Sequence, residues 1–94
     1  MAERLVVVKN RLGLHARAAA QLVRTASRFQ SAVRLERTDG SAVADAKSIL
    51  SVLMLAACRG TQLRVTASGE DEANAIEALT ALFESGFGEE AVEG

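Results

Sequence analysis

Proline, tryptophan and tyrosine are absent from this chain of 94 residues, and there is one cysteine and one histidine. Without proline, and without a Gly/Ser-rich or low-complexity stretch, nothing marks a linker. The chain reads as one domain over residues 1–94, long enough for a single core. A lone Cys58 excludes an internal disulfide and a cysteine-based zinc site, and fits a reducing, cytoplasmic setting. No apolar run approaches the length of a membrane span. The run inside "MAERLVVVKNRLG" is flanked by charge and too short for a signal peptide, so a soluble protein is expected, unprocessed apart from possible loss of Met1. The missing Tyr and Trp, with a net charge of −1, argue against nucleic acid as a partner. The phosphate-loop pattern GxxxxGK is missing too, and no cofactor is called for.

What is present is apolar and ordered in pattern. Apolar residues make up 49% of the chain, enough to fold without disulfide or metal. "RLVVVKN" (4–10) has strand length and β-branched content, and "RLG" turns the chain. From Ala16 the spacing of Ala19, Ala20, Val23, Ala26 and Phe29 is helical. "AVRLER" (32–37) and "SAVAD" (41–45) form a hairpin about "TDG". "SILSVLMLAA" (48–57) predicts a helix capped by Ser48, and "TQLRVTAS" (61–68) alternates as a half-buried strand. The last helix carries Glu70, Asp71 and Glu72 in its first turn as dipole partners, has Ile76, Leu79, Leu82 and Phe83 on one side, and stops at Gly86. The order β-α-β-β-α-β-α predicts an α+β fold: an open-faced two-layer sandwich with a four-stranded, largely antiparallel sheet and three helices on one face. A helix through 48–57 cannot bury Ile49, Leu50, Val52, Leu53, Met54 and Leu55 together, so part of it should stand in solvent as a contact patch.

His15, in "NRLGLHARAAAQL" (10–22), lies where strand gives way to helix. Unpaired amides and the positive end of the helix dipole there suit an anion and favour a neutral, nucleophilic imidazole. Arg17 adds a planar fork matched to phosphate oxygens. Together they describe a histidine able to take a phosphoryl group, hold it on amides of the first turn and pass it on. The plainer reading of a single histidine before a helix is a cap or half-buried side chain. A metal site lacks its ligands, and a hydrolytic site lacks a base and nucleophile pair. Ser48 has two readings as well, an N-cap or a phosphorylation site whose added charge would alter the apolar patch beside it, next to Lys47. Cys58 reads as a small core residue. Residues 1–37 hold eight Lys/Arg against Glu3 and Glu36, while residues 38–94 hold three against ten acids, which predicts a basic patch beside "GLHAR" that steers an acidic protein partner.

Three segments, "GLHAR" (13–17), "AKSIL" to "LMLAACRG" (46–60) and "ASGEDEANAIEAL" (67–79), lie in an order and spacing that resembles the HPr family, the histidine-containing phosphocarriers of the bacterial phosphoenolpyruvate-dependent phosphotransferase system. The segments "LMLAACRG" and "LTALFESGFGEE" (79–90) are closer to its nitrogen-related branch, NPr. The resemblance implies a relay protein, not a turnover enzyme. His15 would be phosphorylated by enzyme I and would pass the group to an enzyme IIA protein. Arg17 and the backbone of Ala16 and Arg17 would form the phosphate cradle, and Ile49, Leu50 and Leu53 would dock partners. Ser48 matches the serine targeted by HPr kinase/phosphorylase, and a regulatory binding module controlled at Ser48 is the alternative. The protein is expected to be a cytoplasmic monomer. One position departs from the family motif: proline usually follows the arginine, and here Ala18 stands instead.

Overall fold

The computed structural model describes residues 1–88. Among these residues, four strands make one sheet: β1 (Ala2–Val7), β2 (Ala32–Arg37), β3 (Val43–Asp45) and β4 (Gln62–Ser68). Their spatial order is β1-β4-β2-β3, and each neighbouring pair is antiparallel, with Val6 opposite Leu63, Leu35 opposite Val65 and Leu35 opposite Ala44. The predicted order of elements and the sheet with helices on one face are therefore present. Alternation decides the two faces. Val6, Val8, Val33, Leu35, Ala44, Leu63, Val65 and Ala67 are buried under the helices, whereas Leu5, Val7, Val43, Arg34 and Arg64 occupy the open face or its edges.

The first helix, α1 (Ala16–Ala26), buries Ala18, Ala19, Leu22 and Ala26. That stripe is rotated from the one expected, since Ala20 and Val23 are only half-buried. Small alanines on the inner face let α1 lie against both α2 (Ile49–Leu53) and α3 (Glu72–Glu84). No helix among the described residues is long and apolar enough to cross a membrane.

The middle helix is half as long as its apolar run suggests. It ends at Leu53 with Met54 as C-cap; Leu55 and Ala57 turn into the core, and Ala56 between them takes a left-handed φ of 52°. Local helix propensity over 54–57 is overridden because burying both Leu55 and Ala57 requires the chain to leave the helical path. Val52 and Leu55 are buried, while Ile49, Leu50 and Met54 are 45%, 70% and 74% exposed, so the expected solvent-facing patch exists.

The acids before α3 also act differently from expectation. Only Glu72 lies in its first turn, and its Oε1 accepts the Gly69 N–H at 3.0 Å. The Asp71 carboxylate makes no cap; it accepts the N–H groups of Gln30 and Ser31 at 2.9 and 3.0 Å, and the Ser31 hydroxyl, tying the α1–β2 connection to α3. These bonds, the Ser31 hydroxyl foremost and then the Gln30 amide, hold the Asp71 carboxyl below the usual range. At the far end, α3 stops near Gly86 as expected, and a 3₁₀ turn, Gly86–Gly88, buries Phe87 edge-on against Phe83 with ring centres 5.1 Å apart. The Phe87 carbonyl accepts from Gln21 Nε2 of α1.

Candidate functional site

The turn before α1 is fastened on both sides. Val8 N–H donates to the Thr61 carbonyl, and Gly60 N–H to that of Val8. Beyond this pairing the buried Asn10 donates Nδ2 to the Gly13 carbonyl at 2.7 Å, while Gly13 N–H returns to the Asn10 carbonyl at 3.2 Å. Gly13 has φ +69°, and a side-chain carbon there would fall 2.6 Å from the Ala57 carbonyl oxygen and 2.8 Å from the Cys58 α-carbon. Only glycine fits between the turn and the segment after α2. The next amide, Leu14 N–H, donates to that same Ala57 carbonyl at 2.9 Å.

This seat delivers His15 to the N-cap of α1 in extended conformation, φ −80° and ψ −179°. Its carbonyl receives the first helical bond, from Ala19 N–H. Its ring Nδ1 accepts the Arg17 N–H at 3.3 Å, so the imidazole replaces the usual Ser or Asp as the capping acceptor. An acceptor at Nδ1 carries a lone pair there, which assigns the ring proton of the neutral form to Nε2. The ring is half-exposed, and Ala16 and Arg17 are exposed. A nucleophilic nitrogen, two first-turn amides and an accessible guanidinium thus occupy one helix start.

The remaining predicted residues lie on other elements. Ser48 Oγ caps α2, accepting the Ser51 N–H at 3.2 Å, and Lys47 Nζ donates to the Phe29 carbonyl. Ile49 and Leu50 face solvent on α2, beside α1; Leu53 turns inward and packs half-buried against the core, and the exposed Met54 takes its place on the patch. The basic first half divides. Arg4 and Lys9 pair with Glu77 and Glu84 of α3, at 3.2 and 2.7 Å, and Arg34 lies on the open sheet face. Arg17, Gln21 and Arg24 follow one another along α1 at spacings that form a single stripe, and Arg28 stands in the turn just beyond its C-cap Ser27. Cys58 is exposed instead of buried, its amide held by Thr61 Oγ1 at 3.2 Å, because the turn into β4 leaves its side chain outside the core. Sequence reasoning missed Asn10, Arg37 and Ala57. For Asn10 a signal existed in its spacing to Gly13, a turn-forming pair.

Known proteins are similar to this chain in sequence and in fold. The family described as "PTS HPr component phosphorylation site" matches residues 2–85. The chain is 52% identical over 90 residues to the phosphocarrier protein HPr of Xylella fastidiosa strain 9a5c, covering 96% of this chain and 99% of that one. It is 47% identical over 87 residues to the phosphocarrier protein NPr of Proteus mirabilis strain HI4320, covering 93% and 96%. Relatives of both names therefore lie at comparable distance. Among solved structures, HPr-C-His from Thermoanaerobacter tengcongensis superposes with a TM-score of 0.88 at 42% identity, covering 94% of this chain and 97% of that one. A carrier need not release a small-molecule product, which fits a half-exposed imidazole at a helix start. The chain belongs to the HPr family, and it is a phosphoryl carrier of the phosphotransferase system, not a catalytic enzyme.

Proposed function

We propose that His15 Nδ1 is the phosphoryl acceptor and donor, that enzyme I supplies the group and that an enzyme IIA protein receives it. The Nδ1 to Arg17 amide contact carries this reading, because it marks the ring nitrogen that holds a lone pair and aims it at the start of α1. In the forward step the Nδ1 lone pair forms the new N–P bond while the donor histidine's N–P bond breaks, and the donor ring keeps that electron pair. No proton has to leave Nδ1, since it carries none. The Arg17 amide, displaced from Nδ1, meets a phosphoryl oxygen; the Ala16 amide and the Arg17 guanidinium supply further donors.

Docking falls to the exposed residues of the two helices that pack together: Ile49, Leu50 and Met54 at α2 as the apolar part, and the stripe of α1 as the basic part. A cytoplasmic monomer that meets one partner at a time fits a single half-exposed ring. The regulatory-module alternative is not favoured: the Ser48 hydroxyl is committed as the cap of α2, which supports a structural role. Incubation with phosphoenolpyruvate and enzyme I, followed by intact-mass measurement, tests the proposal. An acid-labile phosphoryl adduct is expected, and His15→Ala removes it. An adduct that survives His15→Ala ends this reading.

A further inference from the structure

Arg37 lies at the end of β2 on its helix-facing side, with its side chain about 25% exposed. Its Nη1 donates to the carbonyls of Leu55 at 3.1 Å and Ala56 at 3.4 Å, while Nε faces Asp39 Oδ2 at 3.5 Å. Asp39 is itself fixed by the turn, accepting the Ser41 N–H at 2.9 Å and the Ser41 hydroxyl at 2.6 Å. The guanidinium is therefore aimed before it reaches the carbonyls. Those carbonyls follow the end of a five-residue helix, where the backbone has no helical donor left.

Three successive carbonyls connect this arginine to the histidine. Leu55 and Ala56 give theirs to Arg37, and Ala57 gives its own to Leu14 N–H, the residue directly before His15. Between them Ala56 sits at φ 52°, a left-handed conformation that an alanine holds only when its surroundings impose it. The Ala57 carbonyl also defines the slot that only Gly13 fits. We infer that Arg37 is a positioning residue for phosphoryl transfer: by fixing Leu55 and Ala56 it fixes the Ala57 carbonyl, and through Leu14 it sets how His15 Nδ1 meets the Arg17 amide. The inference rests on the proposed role of His15, and it concerns the geometry of the ring, not its identity as acceptor.

Without the guanidinium, Ala56 relaxes towards ordinary backbone, the Ala57 carbonyl turns and Leu14 loses its acceptor. Misplacement of an attacking atom by a fraction of an ångström is enough to slow transfer by about tenfold. The experiment compares wild type, Arg37→Ala and Arg37→Ala/Ala56→Gly in three measurements: the rate of phosphoryl acceptance from phosphoenolpyruvate and enzyme I, the nitrogen-15 shifts of His15 Nδ1 and the Arg17 amide, and Tm. Arg37→Ala is expected to lose about tenfold in rate and to displace both shifts. Glycine at 56, at ease in the left-handed region, should restore most of each. Wild-type rate and unmoved shifts in Arg37→Ala, whatever its Tm, overturn the inference. Should that variant not fold, Arg37→Lys replaces it, since an ammonium lacks the rigid fork. It is then expected to lose about threefold in rate with the same shifts displaced, and wild-type behaviour in it overturns the inference equally. If wild type itself takes no phosphoryl group, the acceptor role of His15 fails, and the two shifts still decide whether Arg37 sets the ring.

Discussion

Ala18 is the third residue of α1 and fully buried, at the position where the motif that "GLHAR" resembles continues with proline. Its N–H precedes the first helical bond, which runs from Ala19 to the His15 carbonyl, so proline there would delete no helix hydrogen bond. Proline would restrict the unfolded chain, a gain of about 0.4–1 kcal/mol where the ring fits. The donors next to the ring, the Ala16 and Arg17 amides, would be unchanged. Ala18→Pro is therefore expected to raise the urea midpoint slightly and to leave the lifetime of the phosphoryl group within about twofold. Following decay of the adduct checks this, and a many-fold longer lifetime would mean that alanine leaves the cradle loose. At this scale the histidine was legible because its chemistry follows from a local pattern, a turn glycine and then a helix start. Arg37 was not legible, since its role depends on two carbonyls 18 and 19 residues away that no local pattern places beside it.

Elements were legible to the extent that their periodicity was self-sufficient. β2 and β4 bury what their alternation marks, and α3 buries Ile76, Leu79 and Phe83 of its marked side with Leu82 half-buried, whereas the unbroken run Leu5 to Val8 did not say that only Val6 and Val8 go inside. α2 stops early because Leu55 and Ala57 find burial only outside the helix, a demand set by the rest of the fold. Asp71 is similar: next to a helix start it resembled a dipole partner, yet its acceptors serve amides 40 and 41 residues away. Because its carboxyl sits lower in the folded state than in the unfolded chain, this clamp stabilises above the unfolded value, near pH 4, and is lost as pH falls through it towards the folded value. Asp39, held down chiefly by the Ser41 hydroxyl, and Glu72, chiefly by the Gly69 amide, add stability of the same sign. Asp71→Asn should lower the urea midpoint at neutral pH and shrink the further loss seen on going below about pH 4. Parallel curves for wild type and variant across that range would show that the α1–β2 connection does not depend on the carboxylate.

For the molecule as a whole, one side of the sheet is open and the other carries the helices, with His15 and the exposed apolar residues of α2. The net charge of −1 conceals this division. Arg64, on the open face, is neutralised by Glu3 at 3.2 Å and Glu36 at 3.4 Å, and Arg34 lies across from Asp45. On the helical side Arg24 of α1 and Arg28 just beyond its end, with Gln21, Thr25 and Leu82 of α3, line a shallow depression of about 490 Å³ beside the second half of α1, the helix that His15 begins. Charge placed there raises the rate at which an acidic partner arrives in the correct orientation, and contributes little once the complex has formed. Arg24→Glu/Arg28→Glu should therefore slow phosphoryl acceptance at low partner concentration by about tenfold at low salt, while the rate at saturating partner stays close to wild type. The deficit should shrink as salt rises and the Debye length falls below the span of the stripe. Arg34→Gln, a loss of charge on the open face, should change neither rate. Equal slowing by both variants would show that only overall charge matters. Slowing that persists at saturating partner would instead give Arg24 and Arg28 a part in the transfer step itself, beside that of Arg17.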